Sequence, residues 1–217
     1  MRRGFTLPPQ IGIGTVVDGL RHPGWTWRFV TSEPITFSNV TGHNVGDGTD
    51  AVSLAAYVGN QFDPGMSWRD IEWLRTNWKG PIVLKGIQTI DDAEIAVSEG
   101  IEAIVLSNHG GRQLDFAPAP VELLPSVVDS VGGEVEIIVD GGVRRGSDIV
   151  KALALGAQAC MAGRAYLYGL GVGGERGVDH VLDLLGQGMR ATMALIGCRS
   201  VRDINSDLVR WRGDVAP

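Results

Sequence analysis

The 217-residue sequence has only two cysteines, Cys160 and Cys198. Each lies in an apolar or small-residue stretch, so the pair reads as buried free thiols, which excludes a disulfide framework and suits a reducing compartment. Positive charge is also short: 19 Lys and Arg stand against 25 Asp and Glu, for a formal net charge of -6. The pairs Arg2-Arg3 and Arg144-Arg145 are too sparse for the basic stripe of a nucleic-acid binder, so nucleic acid is excluded as a partner. No apolar run approaches the roughly 18 residues that a membrane span needs. The most apolar stretch, ACMAGRAYLYGLGVGG, is broken by Arg164. Nor does a signal peptide fit, because Pro8-Pro9 and glycines stand where its continuous apolar segment would have to run. The four histidines offer no metal-ligand spacing; His22, His43 and His180 read as surface residues, and no metal site is expected.

Glycine, by contrast, is abundant at 31 residues, and 44% of the chain is hydrophobic, enough for the core of one ordinary domain. From residue 81 onward, short β-rich apolar runs alternate with segments of helical periodicity, the signature of βα units and a parallel sheet. Four units can be counted. PIVLKGI at 81–87 is a buried strand followed by a helix that Thr89 or Asp91 caps and Gly100 closes. AIVLSNHGG is the second strand and its loop; the helix after it tolerates Pro120 in its first turn, whereas Pro125 falls inside. EIIVDGG at 136–142 is the third strand, with Ser147 as candidate cap and Gly156 as stop of its helix. ACMAGRAYLYG is the fourth. An amphipathic helix from about Arg176 to Cys198 carries Val178, Val181, Leu182, Leu185, Met189, Met193 and Ile196 at spacings of three and four. MSWRDIEWLRTNW, from Met66, predicts one helix ahead of the four units.

Residues 1–65 hold no sustained period of 2 or 3.6 and read as a long irregular excursion, 66–200 as the βα region, and 201–217 as a C-terminal tail. A closed (β/α)8 barrel needs eight such units in roughly 250 residues. Four units amount to half a barrel with open sheet edges, which favours self-association.

In parallel βα architectures functional groups gather at the C-terminal ends of the strands. Four polar features fall there: Lys85, the SNHGGR run at 107–112, DGGVRRG at 140–146, and Gly163-Arg164. His109 sits between a strand end and a Gly-Gly turn. An imidazole that accepts a proton, three residues from the Arg112 guanidinium that can hold a carboxylate bidentately, suits oxidation of a 2-hydroxy acid. DGGVRRG lets backbone N–H groups approach a phosphate at a helix start, or is simply a tight turn with solvated arginines. Lys85 is either an ion-pair partner at the sheet rim or a cation that offsets negative charge on a cofactor. Asp140 is a hydroxyl acceptor or a cap.

The run Ser107-Asn108-His109-Gly110-Gly111-Arg112-Gln113 resembles the active-site signature of the FMN-dependent α-hydroxy acid oxidoreductases, and the resemblance extends from about residue 66 through Cys198. GFTLPPQ and FDPGMSWRDIEWLR are similar to the L-lactate dehydrogenase and lactate monooxygenase branch, and less so to plant glycolate oxidase. The resemblance implies an α/β chain forming the C-terminal half, strands 5 to 8, of a TIM (β/α)8 barrel behind a long irregular segment. It implies FMN as cofactor and an L-2-hydroxy acid, foremost L-lactate, as substrate. It makes His109 the base and Arg112 the carboxylate anchor. Lys85 and Ser107 become flavin contacts, Asp140, Gly141, Gly142 and Arg144 the ribityl and phosphate segment, and Gly163 with Arg164 the rest of the phosphate cradle. Oxygen, a quinone or a cytochrome is the implied electron acceptor, and the expected location is the cytoplasm, with peripheral attachment to the inner membrane where a quinone is used. In the family the first four strands supply a tyrosine pair and the aspartate that orients the histidine, and those are expected to be missing here. The rival expectation is a catalytically incompetent half-barrel that holds FMN or phosphate weakly or not at all.

Overall fold

A computed structural model describes residues 12–32 and 63–210 of the chain. The chain divides into two compact units, Met1–Trp73 and Leu74–Pro217, so the division falls within a helix and later than the expected 65/66 boundary.

In the first unit the expectation of an irregular excursion needs correcting. Helices α1 (Ile13–Arg21) and α2 (Pro23–Thr31) occupy most of its first described stretch and pack on each other. Pro23 opens α2 at a position where its missing N–H costs nothing. The rest of the 1–65 segment outside 12–32 and 63–65, with His43, lies outside the described residues. Helix α3 (Asp70–Asn77) is shorter than MSWRDIEWLRTNW implied. Its start is fixed by Asp70, whose Oδ2 accepts the Ser67 N–H at 2.6 Å.

The second unit carries a four-stranded parallel sheet in the order β1-β2-β3-β4, with β1 at Val83–Ile87, β2 at Ala103–Ser107, β3 at Glu136–Asp140 and β4 at Ala159–Met161. Helices α4 (Ile90–Ser98), α5 (Pro120–Val131) and α6 (Gly146–Ala154) connect consecutive strands. The continuous apolar run of β2 is buried at every position, as a strand covered on both faces must be. Ile104, Leu106, Ile137, Leu124 and Val127 form the centre of the core. Thr89 is the cap of α4: its hydroxyl accepts the Asp92 N–H at 3.0 Å. Pro125 is accommodated inside α5. Ser147 does not cap α6. The N-cap residue is Arg145, and Asp148 accepts the N–H groups of Arg144 and Arg145 at 3.0 and 2.9 Å.

Helix α7 runs from Arg164 to Leu195, well before the expected start near Arg176, with non-helical geometry at Gly174 (φ 59°) where two helical segments meet. The segments cross so closely at Gly169 and Gly177 that a Cβ on either would collide with the other's backbone. The described part of the 201–217 tail is docked: two short 3-10 turns, Val201–Asp203 and Ser206–Leu208, bring Ile204 and Leu208 against Val150, Met193 and Cys198. Residues 211–217 lie outside the described residues. Cys198 is buried as expected, but Cys160 is only partly buried, and burial together with the nearby Asp148 pushes its thiol up to about 11.

At the opposite end of the sheet from the strand tips, Arg75 and Glu102 lock α3 to the start of β2. The guanidinium makes two hydrogen bonds to the carboxylate at 3.0 and 2.9 Å and a third to the Gly100 carbonyl, while Glu102 also accepts the Ile82 N–H at 2.8 Å. The bond from Arg75 and then that from Ile82 hold the Glu102 carboxyl down to about 2, against an ordinary value near 4.5. A depressed carboxylate pKa stabilises the fold fully above the unfolded value and loses that stabilisation as the pH falls through the folded one. The wild-type chain should therefore lose thermal stability between about pH 4.5 and 2, and Glu102→Gln should remove this group's share of that pH dependence; melting curves across the range check it.

Candidate active site

The C-terminal strand ends face an open cleft of about 1320 Å³. Nine of the ten residues singled out from the sequence line it: Lys85, His109, Arg112, Asp140, Gly141, Gly142, Arg144, Gly163 and Arg164. The tenth, Ser107, lies directly beneath. It is 1% exposed and is the only buried polar or charged side chain among the described residues.

Ser107 ends β2 and is paired in register with Asp140 at the end of β3. Its hydroxyl donates to Asp140 Oδ2 at 2.7 Å and accepts from Lys85 Nζ at 3.2 Å and from the His109 N–H at 3.0 Å. Lys85 closes the triangle with an ion pair to Asp140 Oδ2 at 2.7 Å. Burial works to raise the Asp140 carboxyl, but the hydrogen bonds from Lys85 and Ser107 and the charge of Lys85 outweigh it, so the group sits below the usual range and is ionised at neutral pH. Lys85 thus makes an ion pair, and Asp140 accepts a hydroxyl, that of Ser107.

His109 adopts φ +54°, a left-handed backbone rarely taken by a residue with a Cβ. The turn behind it is held by Asn108, whose Oδ1 accepts the Gly111 N–H at 3.1 Å and whose Nδ2 donates to the Pro118 carbonyl at 3.2 Å. Across the cleft, Arg164 donates to the Gly110 carbonyl at 2.9 Å and ties the start of α7 to the histidine loop. Arg112 is exposed on the cleft wall on the same loop.

Two participants escaped the sequence reading. Gly86 interrupts the β1-β2 register between Lys85 and Ile87, has φ +107°, and lies so close to the imidazole that a Cβ there would be 2.8 Å from His109 Cε1. A glycine inside an otherwise β-rich run was the available signal, since such a glycine marks a bulge or a close approach. Asp148 was the other; its position three residues after Arg145 is the usual place for an acid that reaches back to a helix start.

Gly141 and Gly142 have φ +112° and +78°, and no atom lies within 4 Å of where a Cβ of Gly142 or Gly163 would be. The first turn of α6 and the cationic groups of Arg144, Arg145 and Arg164 stand around this open space. Backbone N–H groups at a helix start, glycines that admit close approach and several cations make a donor set that fits a phosphate ester.

The sequence matches the FMN-dependent dehydrogenase family model over residues 1–211. The chain belongs to this family. Among relatives, it is 42% identical over 197 residues to the L-lactate dehydrogenase of Chromohalobacter salexigens, covering 90% of this chain and 50% of that protein. It is 42% identical over 202 residues to the L-lactate dehydrogenase of Ectopseudomonas mendocina, covering 93% and 53%. The crystal structure of the monotopic membrane protein (S)-mandelate dehydrogenase superposes with a TM-score of 0.87 at 39% identity, covering 95% of this chain and 54% of that one. A mandelate oxidase structure gives 0.67 at 41% identity, covering 73% and 46%. The chain spans about half the length of the relatives it matches, and its four-stranded sheet is a partial TIM barrel.

Because the imidazole rests on Gly86, adding one methyl group there should displace it and strain a left-handed backbone. Gly86→Ala is expected to cost about 1–2 kcal/mol in stability and to move the His109 ring out of the cleft wall. Denaturant unfolding and histidine ring NMR shifts measure the two effects.

Proposed function

We propose that the chain carries the substrate-oxidising half of an FMN-dependent L-2-hydroxy acid oxidoreductase, with L-lactate converted to pyruvate. The observation that supports it is the convergence of a proton acceptor, a carboxylate anchor and a phosphate cradle on one cleft. Bound FMN would take up the two electrons and the hydrogen that leave as the hydroxy acid becomes a 2-oxo acid. Gly141, Gly142, Arg144, Gly163 and Arg164 would hold its phosphate and ribityl chain, with Asp140 offering a carboxylate oxygen to a hydroxyl. Lys85 and Ser107 present a cation and a hydroxyl at the strand ends, where they offset negative charge that builds on the cofactor.

Arg112 binds the substrate carboxylate and thereby fixes the α-carbon relative to His109. The imidazole then takes a proton from the substrate, and its place above Gly86 keeps it at the cleft wall. Oxygen, a quinone or a cytochrome reoxidises the cofactor. Strands β1 and β4 each have a single sheet neighbour among the described residues, and Val83 at the β1 edge is 52% exposed, which favours a homo-oligomer. The same open edges favour the second reading, a half-barrel that holds FMN weakly or not at all.

Titrating the chain with FMN, following flavin fluorescence and then adding L-lactate without oxygen, separates the two. Saturable quenching followed by bleaching is the expected result; no quenching leaves the incompetent half-barrel. In a bleaching preparation, His109→Gln should slow reduction roughly 10²- to 10⁴-fold. Arg112→Met should raise the lactate concentration needed for half-maximal rate roughly 10- to 100-fold.

For location, we propose a cytoplasmic protein attached peripherally to the inner membrane. None of the described helices is long and apolar enough to cross a membrane. Helices α1 and α2 nevertheless present Ile13, Leu20 and Trp27 at 86%, 75% and 71% exposure, an apolar and aromatic set that suits the interfacial region of a bilayer. Sedimentation with anionic phospholipid vesicles should carry the chain down, and Leu20→Ser with Trp27→Ser should leave it in the supernatant.

A further inference from the structure

Ser107 and Asp140 are placed among the cofactor contacts, yet their shared geometry reaches the proton acceptor through its backbone. A hydroxyl has one proton to donate and two lone pairs to accept with. Ser107 uses all three, one on Asp140 Oδ2, one on Lys85 Nζ and one on the His109 N–H. An ionised carboxylate can only accept, so Asp140 fixes the direction in which the Ser107 proton points. With the proton committed there, the oxygen lone pairs face the Lys85 ammonium and the His109 amide. That amide belongs to a residue at φ +54°, a conformation that persists only when its surroundings hold it.

We propose that Asp140 and Ser107 act as a positioning relay, in which the Asp140 carboxylate orients the Ser107 hydroxyl and the hydroxyl pins the left-handed backbone of His109. The proposal rests on the reading of His109 as the proton acceptor, but its physical content lies in the chain itself. The relay joins two adjacent strand ends, Ser107 of β2 and Asp140 of β3, with Lys85 reaching both from the neighbouring strand β1. Ser107 is buried, and removing its hydroxyl leaves the His109 N–H without its acceptor in the chain. The hydrogen-bond path from Asp140 to the His109 backbone runs through Ser107, while the carboxylate's charge also acts directly on the imidazole, so Asp140 is a positioning residue for the histidine whatever else it contacts.

Amide hydrogen exchange of the full 217-residue chain, read by NMR, tests the relay without FMN or lactate. Ser107→Ala should speed exchange of the His109 amide at least tenfold, while core amides of β2 such as Leu106 keep their protection. Asp140→Asn should produce the same local loss, because an amide can donate to the serine oxygen and turn its proton away. It is also the fallback if Ser107→Ala does not fold. Lys85→Met keeps the Asp140-Ser107-His109 path and should leave the His109 amide protected. In a chain that binds FMN and oxidises lactate, Ser107→Ala should lower kcat while KM, set by Arg112, changes little. Unchanged His109 exchange in both Ser107→Ala and Asp140→Asn overturns the relay. Absence of lactate oxidation in the wild type, with exchange responding as described, leaves the relay standing and removes the catalytic reading instead.

Discussion

An apolar strand with one polar group at its tip is the constraint on which this structure turns. Strand β2 is buried from Ala103 to Ser107, and four of its five side chains offer nothing but dispersion and water exclusion. The fifth must satisfy a hydroxyl where water does not reach, and an unsatisfied one would cost about 1–3 kcal/mol. Its partners are therefore drawn from the neighbouring strand ends, and the contacts that meet this need gather Lys85, Asp140 and the His109 loop at one point. Had Ser107 been another valine, the Lys85-Asp140 pair would still form, but without the hydroxyl that bonds it to the His109 backbone.

This explains why so much of the candidate site was legible in the sequence. In a sheet whose strands all run the same way, strand ends converge, so a polar residue that closes an apolar run is already placed beside the others of its kind. Lys85, Ser107, Asp140 and Gly163 each follow such a run. The parallel four-strand core was legible for the same reason, since β1, β2 and β3 are short runs rich in Val, Ile and Leu, each followed by glycine or a helix cap. What remained hidden was whatever depends on backbone approach. Gly86 reads as one more small residue until the imidazole is seen to occupy the space its Cβ would fill. Asp148 was passed over for Ser147 because either could begin a helix, and only the geometry shows which one reaches the N–H groups of Arg144 and Arg145.

The misjudged helices share a physical cause. Residues 12–32 carry Gly14, Gly19, Pro23 and Gly24, which interrupt any apolar period, yet two nine-residue helices form with Gly14 and Gly19 inside α1 and with Pro23 and Gly24 in the first turn of α2. The stretch GRAYLYGLGVGG gave no helical signal ahead of Arg176 because glycine disfavours helix by about 1 kcal/mol at each interior position. In α7 that cost is set against close packing. Gly169 and Gly177 lie so near one another that any larger residue would force the two segments apart. The tail was misread for a simpler reason: Ile204 and Leu208 are too few to show a period, and they dock singly.

The close crossing of α6 and α7 links this packing to the chemistry. A Cβ on Gly146 would collide with the backbone of Leu185, Gly188 and Met189, so the first turn of α6 lies directly against α7. Leu185, Gly188 and Thr192 of α7 line the same cleft as Gly141, Gly142 and Arg144. The start of α6 thus lines a cavity with one wall of strand ends and another of the C-terminal helix. The start of α6 is held at a cleft wall by the absence of a single side chain, because only there can the two helices approach to backbone contact. The glycines of this chain therefore do two opposite things: at 141 and 142 they free the backbone to turn toward a ligand, and at 146 and 188 they let it be fixed in place.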